Sequence, residues 1–140
     1  MDHVPVVEGV SVDHHNLSHH GQDRAKIEQL KLIETAQMQA FAKLMATLAN
    51  KTEAANGGGR LLDHTSVVFG SNLGNANSHD WHNLPILLAG GGHRHGQYRA
   101  FDEQRNQPLS NLFLSLLQKQ GHEIERFGSS TGTIDLTNFA

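Results

Sequence analysis

Histidine is where the chemistry of this sequence concentrates. Eleven of its 140 residues are His, as many as Lys and Arg together, and none is Cys. Thiolate metal sites, thiol nucleophiles and disulfides are thereby excluded, leaving imidazole, carboxylate and hydroxyl groups. Neutral imidazole binds zinc and related divalent metals when three or four ligands converge at about 2 Å. The densest run is Asp13-His14-His15-Asn16-Leu17-Ser18-His19-His20-Gly21. His15 and His19 stand four apart, so a helical turn would put them on one face, while an extended backbone would point the members of each pair differently. A second group is His79-Asp80-Trp81-His82, where Asp80 is either a ligand or a carboxylate that orients an imidazole. The plainer reading of both groups is that they are loop histidines satisfied by backbone carbonyls and carboxylates.

Other constellations are weaker. His93-Arg94-His95 follows Gly90-Gly91-Gly92, a loop able to turn backbone N–H groups toward an anion, with Arg94 and His95 as substrate contacts. The alternative is that the glycines only let the chain leave a strand sharply, and no helix follows at P-loop spacing. Ser71 near His79 and Asp80 has the outline of a triad but lacks the Gly-x-Ser-x-Gly elbow, and a serine there more commonly bonds loop backbone. Ser129-Ser130-Thr131-Gly132 reads as a turn. His3, His64 and His122 stand alone as spectators. The formal charge is −3, moving to +8 if every His is protonated, and the Lys and Arg residues are dispersed. Neither nucleic acid nor an anionic membrane is an expected partner. No apolar run approaches the roughly 18 residues of a membrane span.

The elements that must position these groups follow from hydrophobic periodicity. Residues 1–22 read as an irregular or extended His-rich segment, with a short strand around Val4–Val7. Residues 23–140 read as one α/β domain. From Asp23 to Asn50 a long amphipathic helix is expected, with Ile27, Leu30, Ile33, Met38, Phe41, Leu44, Met45 and Leu48 on one face, Asp23 as N-cap and Asn56-Gly57-Gly58-Gly59 as the stop. Thr65–Gly70 and Leu84–Ala89 are continuous apolar runs, as in strands covered on both faces. Pro108 opens a second helix that Gly121 closes, and an extended tail supplies a last strand. Two chains could also associate through the long helix and the sheet edges, giving a homo-oligomer.

Five segments occur together in a fixed order: the His14–Gly21 run, Gly70-Ser71-Asn72-Leu73-Gly74-Asn75-Ala76, Asn83-Leu84-Pro85-Ile86-Leu87-Leu88-Ala89-Gly90-Gly91-Gly92, His95-Gly96-Gln97, and Phe127-Gly128-Ser129-Ser130-Thr131-Gly132. They resemble the C-terminal third of the bacterial family called domain of unknown function 1552, over nearly the whole chain from about Val12. That family is distantly similar to the alkaline phosphatase and sulfatase superfamily. The resemblance implies a partial three-layer sandwich like the C-terminal part of an alkaline-phosphatase-like fold, an exported and extracytoplasmic setting, and association with an N-terminal part. It also implies hydrolase ancestry in the phosphate or sulfate ester class, with a divalent metal, zinc above all. Laid onto this sequence, one metal motif falls at Ser18-His19-His20 and a later ligand at His79 or His82. On this reading His19 or His20 joins His79 or His82 across the strand ends, with His15 and Asp80 as further candidates. The Asp-His pair of the superfamily would fall at Asn72-Leu73 and is absent, and its nucleophile would lie outside these residues. The alternative to hydrolase ancestry is a non-catalytic metal-binding or structural module.

Overall fold

The structure, a computed structural model, describes residues 3–54 and 58–137. A short helix α1 (His14–Ser18) is followed by the long helix α2 (Arg24–Ala49), strand β1 (Ser66–Gly70), strand β2 (Ile86–Gly90) and helix α3 (Leu109–Lys119). Single 3₁₀ turns at Leu61–His64 and Ala76–Ser78 precede and follow β1. The protein is therefore mixed α/β, with two antiparallel strands in register Val68 opposite Leu88 and Phe69 opposite Leu87.

Local chemistry explains most of these boundaries. Asp23 caps α2 by accepting from the Ala25 and Lys26 amides, as the sequence pattern requires. The helix stops at Ala49, ahead of the Asn56–Gly59 stop, whose first two residues lie outside the described residues. Pro85 has no N–H to give a ladder, and β2 begins one residue after it. Pro108 sits at the N-cap of α3, one position earlier than the first helical turn.

Three expectations about secondary structure are corrected. Residues 14–18 are helical rather than extended, because the Asp13 carboxylate accepts from the Asn16 amide and Leu17 is completely buried beneath the turn. Val4–Val7 forms a turn, with the Val7 amide donating to the Pro5 carbonyl, and Val6 is fully exposed. The tail forms no strand among the described residues. It is pinned to α3 by side chains instead: the Thr131 amide donates to Asn111 Oδ1 at 2.8 Å, the Ile134 amide to Ser115 Oγ at 2.7 Å, and Ser110 and Ser129 hydroxyls meet at 2.9 Å.

The core is small. Leu112, Leu116 and Leu136 form its centre, with Val68, Ile86 and Leu88 packed on it from the hairpin. Strand alternation turns Phe69 to the other face, where its ring lies 5.2 Å from that of Phe41 on α2. The strands were expected to be covered on both faces, but both are only half-buried, and Leu87 is 46% exposed. Two strands and two helices supply too little surface to cover them. Of the 26 residues of α2 only Ile33 is buried, and Leu32, Met38 and Leu44 are exposed. The chain exposes 10062 Å², against about 7,200 Å² for a compact monomer of this mass.

Candidate functional site

Two loops meet beside α1. The first is the end of α1 itself, where His19 is the C-cap and its amide bonds the His15 carbonyl. The second is the segment between the strands. Here the Gly74 and Asn75 amides both bond the Asp80 carbonyl, and Asn75 Oδ1 caps the 3₁₀ turn at the Asn77 amide. A Cβ on Gly74 would overlap the His82 carbonyl, so only glycine lets this loop close so tightly. Its closure places His79 in the left-handed region at φ 54°, a conformation that His, Asn and Asp adopt more readily than other side chains. The Gly21 amide then donates to Asn77 Oδ1 at 2.8 Å and ties the loops together.

The outcome is a contact between residues sixty apart in the chain. His19 Nε2 and His79 Nε2 are 3.0 Å apart, with the two rings edge to face at 4.7 Å. His15 stands at 4.7 Å from His19 on the other side, also edge to face. His15, His19 and His79 thus form a row of imidazoles. Without a metal, the short contact is a hydrogen bond in which one neutral ring donates and the other accepts. Two nitrogens bound to one zinc at the usual distance and a tetrahedral angle would be about 3.3 Å apart. The observed spacing is within reach of that arrangement by a small opening of the rings.

The remaining candidates have other engagements. His20 Nδ1 accepts from the Gln22 amide at 3.0 Å. Asp80 Oδ1 receives both the His82 amide at 2.9 Å and His82 Nδ1 at 2.7 Å. Those bonds, the amide first and the ring second, hold the Asp80 carboxyl below the usual carboxylate range. The carboxylate fixes the proton of His82 on Nδ1 and leaves Nε2 as a bare donor atom. Trp81, the sole tryptophan, stacks on the His82 ring at 3.9 Å. Ser71 Oγ accepts from the Leu73 amide, a bond to loop backbone. Among the described residues no group of three or more His, Asp or Glu converges in metal-holding geometry. The chain matches no family model, no curated protein and no solved structure.

Arg94 and His95 lie exposed in the loop after β2. The neighbouring His93, first of the three, is the buried one at 8% exposure. Its Nε2 is 3.1 Å from Ser66 Oγ at the start of β1, and its Nδ1 is 3.1 Å from Lys119 Nζ at the end of α3. Nothing in the spacing of Ser66, His93 and Lys119 links them, because three separate elements bring them together. The glycine run before His93 is the one visible sign in the sequence, and it serves His93 by its close approach to Ser66.

Proposed function

We propose that this chain is a metal-binding α/β module in which His19 and His79 seat one divalent cation, zinc by preference. The observation that carries the reading is the 3.0 Å approach of the two Nε2 atoms from loops on different elements. The donor set fits an open site more than a closed structural one, because two imidazoles leave coordination positions to water or to an anion. His15, edge-on to His19, is the nearest further imidazole, and His82 with its bare Nε2 is a further donor on the same loop as His79. A cation held this way supplies Lewis acidity to a bound oxygen. The chain's own residues do the positioning: Asn77 holds the two loops together, and Gly74 permits the turn that presents His79.

The motif resemblance adds the class of chemistry, phosphate or sulfate ester hydrolysis, as ancestry. It adds an extracytoplasmic setting and a three-layer sandwich to which further strands would contribute. The helix-on-either-face order of α2, hairpin and α3 is compatible with that sandwich. The same resemblance gives these residues neither a nucleophile nor the Asp-His pair, so the metal seat is the part of that chemistry assigned to them.

The excess surface favours association with a second copy of the chain. A standard interface covers about 800 Å² on each partner, and the chain carries considerably more than that beyond the area of a compact monomer of its mass. The exposed Leu32, Met38 and Leu44 of α2 are the surface such a copy would cover.

The test is metal content per chain and zinc titration for the wild type and a His19→Ala/His79→Asn double variant. Asn is chosen at 79 because it tolerates the left-handed backbone. Near-stoichiometric metal lost in the variant supports the site, and a folded wild type that takes up no zinc refutes it. Sedimentation of the same samples decides the association: a dimer is expected, and a monomer at all concentrations overturns that part.

A further inference from the structure

A second site stands apart from the histidine row, at the opposite ends of other elements. Ser66, His93 and Lys119 form a chain of polar contacts, Ser66 Oγ to His93 Nε2 at 3.1 Å and His93 Nδ1 to Lys119 Nζ at 3.1 Å. Ser66 and Lys119 border a cavity of about 340 Å³, whose lining also includes Asp63, His64, Gly91 and Gln120, and His93 lies behind them. Gly91 has φ +60°, and a Cβ there would overlap Ser66 Oγ and press on the His93 ring. The glycine is what allows hydroxyl and imidazole to meet at this wall.

The direction of each hydrogen bond follows from elementary chemistry. A protonated lysine has only donors, so His93 Nδ1 must accept. The ring is then neutral and carries its proton on Nε2, which donates to Ser66 Oγ. With its oxygen receiving that proton, the Ser66 hydroxyl is free to turn its own O–H outward. His93 is therefore not a general base for Ser66, since the nitrogen that would take the proton already has one. Burial first, then the charges of Lys119 and His95, holds His93 below the usual imidazole range, in keeping with a neutral ring.

The one acidic group at the cavity is already neutralised. Asp63 accepts from Arg60 Nη2 at 2.8 Å and from Arg60 Nε at 3.1 Å. Among the described residues Lys119 pairs with no carboxylate. The wall therefore presents an ammonium and a hydroxyl as donors, with the Gln120 amide beside them. A lysine ammonium binds a phosphate as a point charge, and a tetrahedral phosphate has oxygens enough to accept from the ammonium, the hydroxyl and the amide together.

We infer that this cavity is a binding site for a phosphate group on a small molecule, with Lys119 Nζ and Ser66 Oγ as its ligands, His93 as the positioning residue that fixes the hydroxyl, and Gly91 as the opening. Metal is not involved, so the site stands or falls independently of the histidine pair.

The experiment is NMR titration of the full chain, kept metal-free with chelator, with inorganic phosphate and with phenyl phosphate, phenol serving as the uncharged control. Saturable shifts at Ser66, Gly91 and Lys119 are expected with both phosphates and not with phenol, and His93 should show the Nε2–H tautomer by its ring nitrogen shifts. Lys119→Met should weaken binding about tenfold or more, by loss of a charge-assisted hydrogen bond. Ser66→Ala should weaken it less and release the His93 tautomer. Lys119 is exposed, so its variant is expected to fold, and Lys119→Arg should retain most of the binding. Absence of saturable shifts in the wild type overturns the inference, as does equal binding by Lys119→Met. Shifts with phenyl phosphate and equally with phenol, but none with inorganic phosphate, would show an apolar contact and overturn it too.

Discussion

Replacing Leu17 by Ala tests whether α1 is held in place by one buried side chain. Leu17 is 0% exposed and is the only fully buried residue of that five-residue helix. Truncation removes three carbons, about 2.4 kcal/mol of transfer free energy at 0.8 per buried methylene. Buried Leu→Ala changes cost about 2–5 kcal/mol once the cavity is included. A short surface helix can settle onto α2 and close part of that gap, which places the cost at about 2–3 kcal/mol.

The loss should be local. Apart from the Leu17 contact, α1 is secured by the Asp13 cap, the Lys26 Nζ to Asn16 Oδ1 bond at 2.7 Å, and the Gly21 to Asn77 tie. The central leucines of α3 belong to a different cluster. Hydrogen exchange separates the two regions, because the Leu17 amide bonds the Asp13 carbonyl and the His19 amide bonds the His15 carbonyl. Their exchange should quicken by roughly 30- to 150-fold, the equivalent of 2–3 kcal/mol in a local opening. Amides in the middle of α3 should change far less. Zinc affinity should fall alongside, since His19 is placed by the end of α1. Unchanged exchange at residues 17 and 19 would refute the reasoning. Equal acceleration in α3 would also refute it, by showing Leu17 to be part of one cooperative core.

Two further outcomes are expected. Asn111 is 2% exposed and accepts from the Thr131 amide, so Asn111→Ala should cost about 1–3 kcal/mol in urea denaturation and free the tail from α3, and a loss within error of zero would count against the side-chain clamp. Because His93 is held below the usual imidazole range, the unfolded chain binds its proton more readily than the folded one; its contribution to stability is complete above about pH 6.5 and is lost as the pH falls below that value. Wild type should therefore lose more stability than His93→Gln between neutral pH and mildly acidic pH, and parallel pH profiles would contradict the assignment.

How far the sequence foretold this arrangement depends on whether a signal was local. The Asp23 cap, the α2 periodicity and the two apolar runs each act within a few residues, and all were legible. The Asp13 cap is just as local, but the single apolar Leu17 is too little for a period of 3.6 to be counted. The bond of Asn111 to Thr131 joins positions twenty apart through an amide side chain, and the apolar pattern of the tail resembled a strand for want of that information. The resemblance joined His19 or His20 to His79 or His82 without choosing among them, and the cause of the contact between His19 and His79, a glycine at 74 and a left-handed His79, is a matter of backbone that residue types announce only weakly.

The apolar runs carry one more implication. Continuous hydrophobic strands are costly where water reaches one face, and Leu87 and the apolar row of α2 are left in that condition. Nothing within the described residues rewards the composition of β2 or of α2 as a free surface. The same residues are intelligible if a further surface packs on them, and the hairpin and α3 would then be one side of a larger layer. Burial would rise at Phe41, Phe69 and Leu87 together, since the contact of Phe41 with Phe69 already brings α2 and the hairpin face into one surface. A covering partner would also exclude water from the region beside α2, where α1 carries His15 and leads into His19. An open two-histidine seat gains most from a drier setting, because electrostatic attraction for a cation strengthens as water is removed. Association and metal affinity are therefore expected to be coupled: zinc should shift the sedimentation of the wild type toward the associated form, and the His19→Ala/His79→Asn variant should lose that shift while keeping the contact surface of α2.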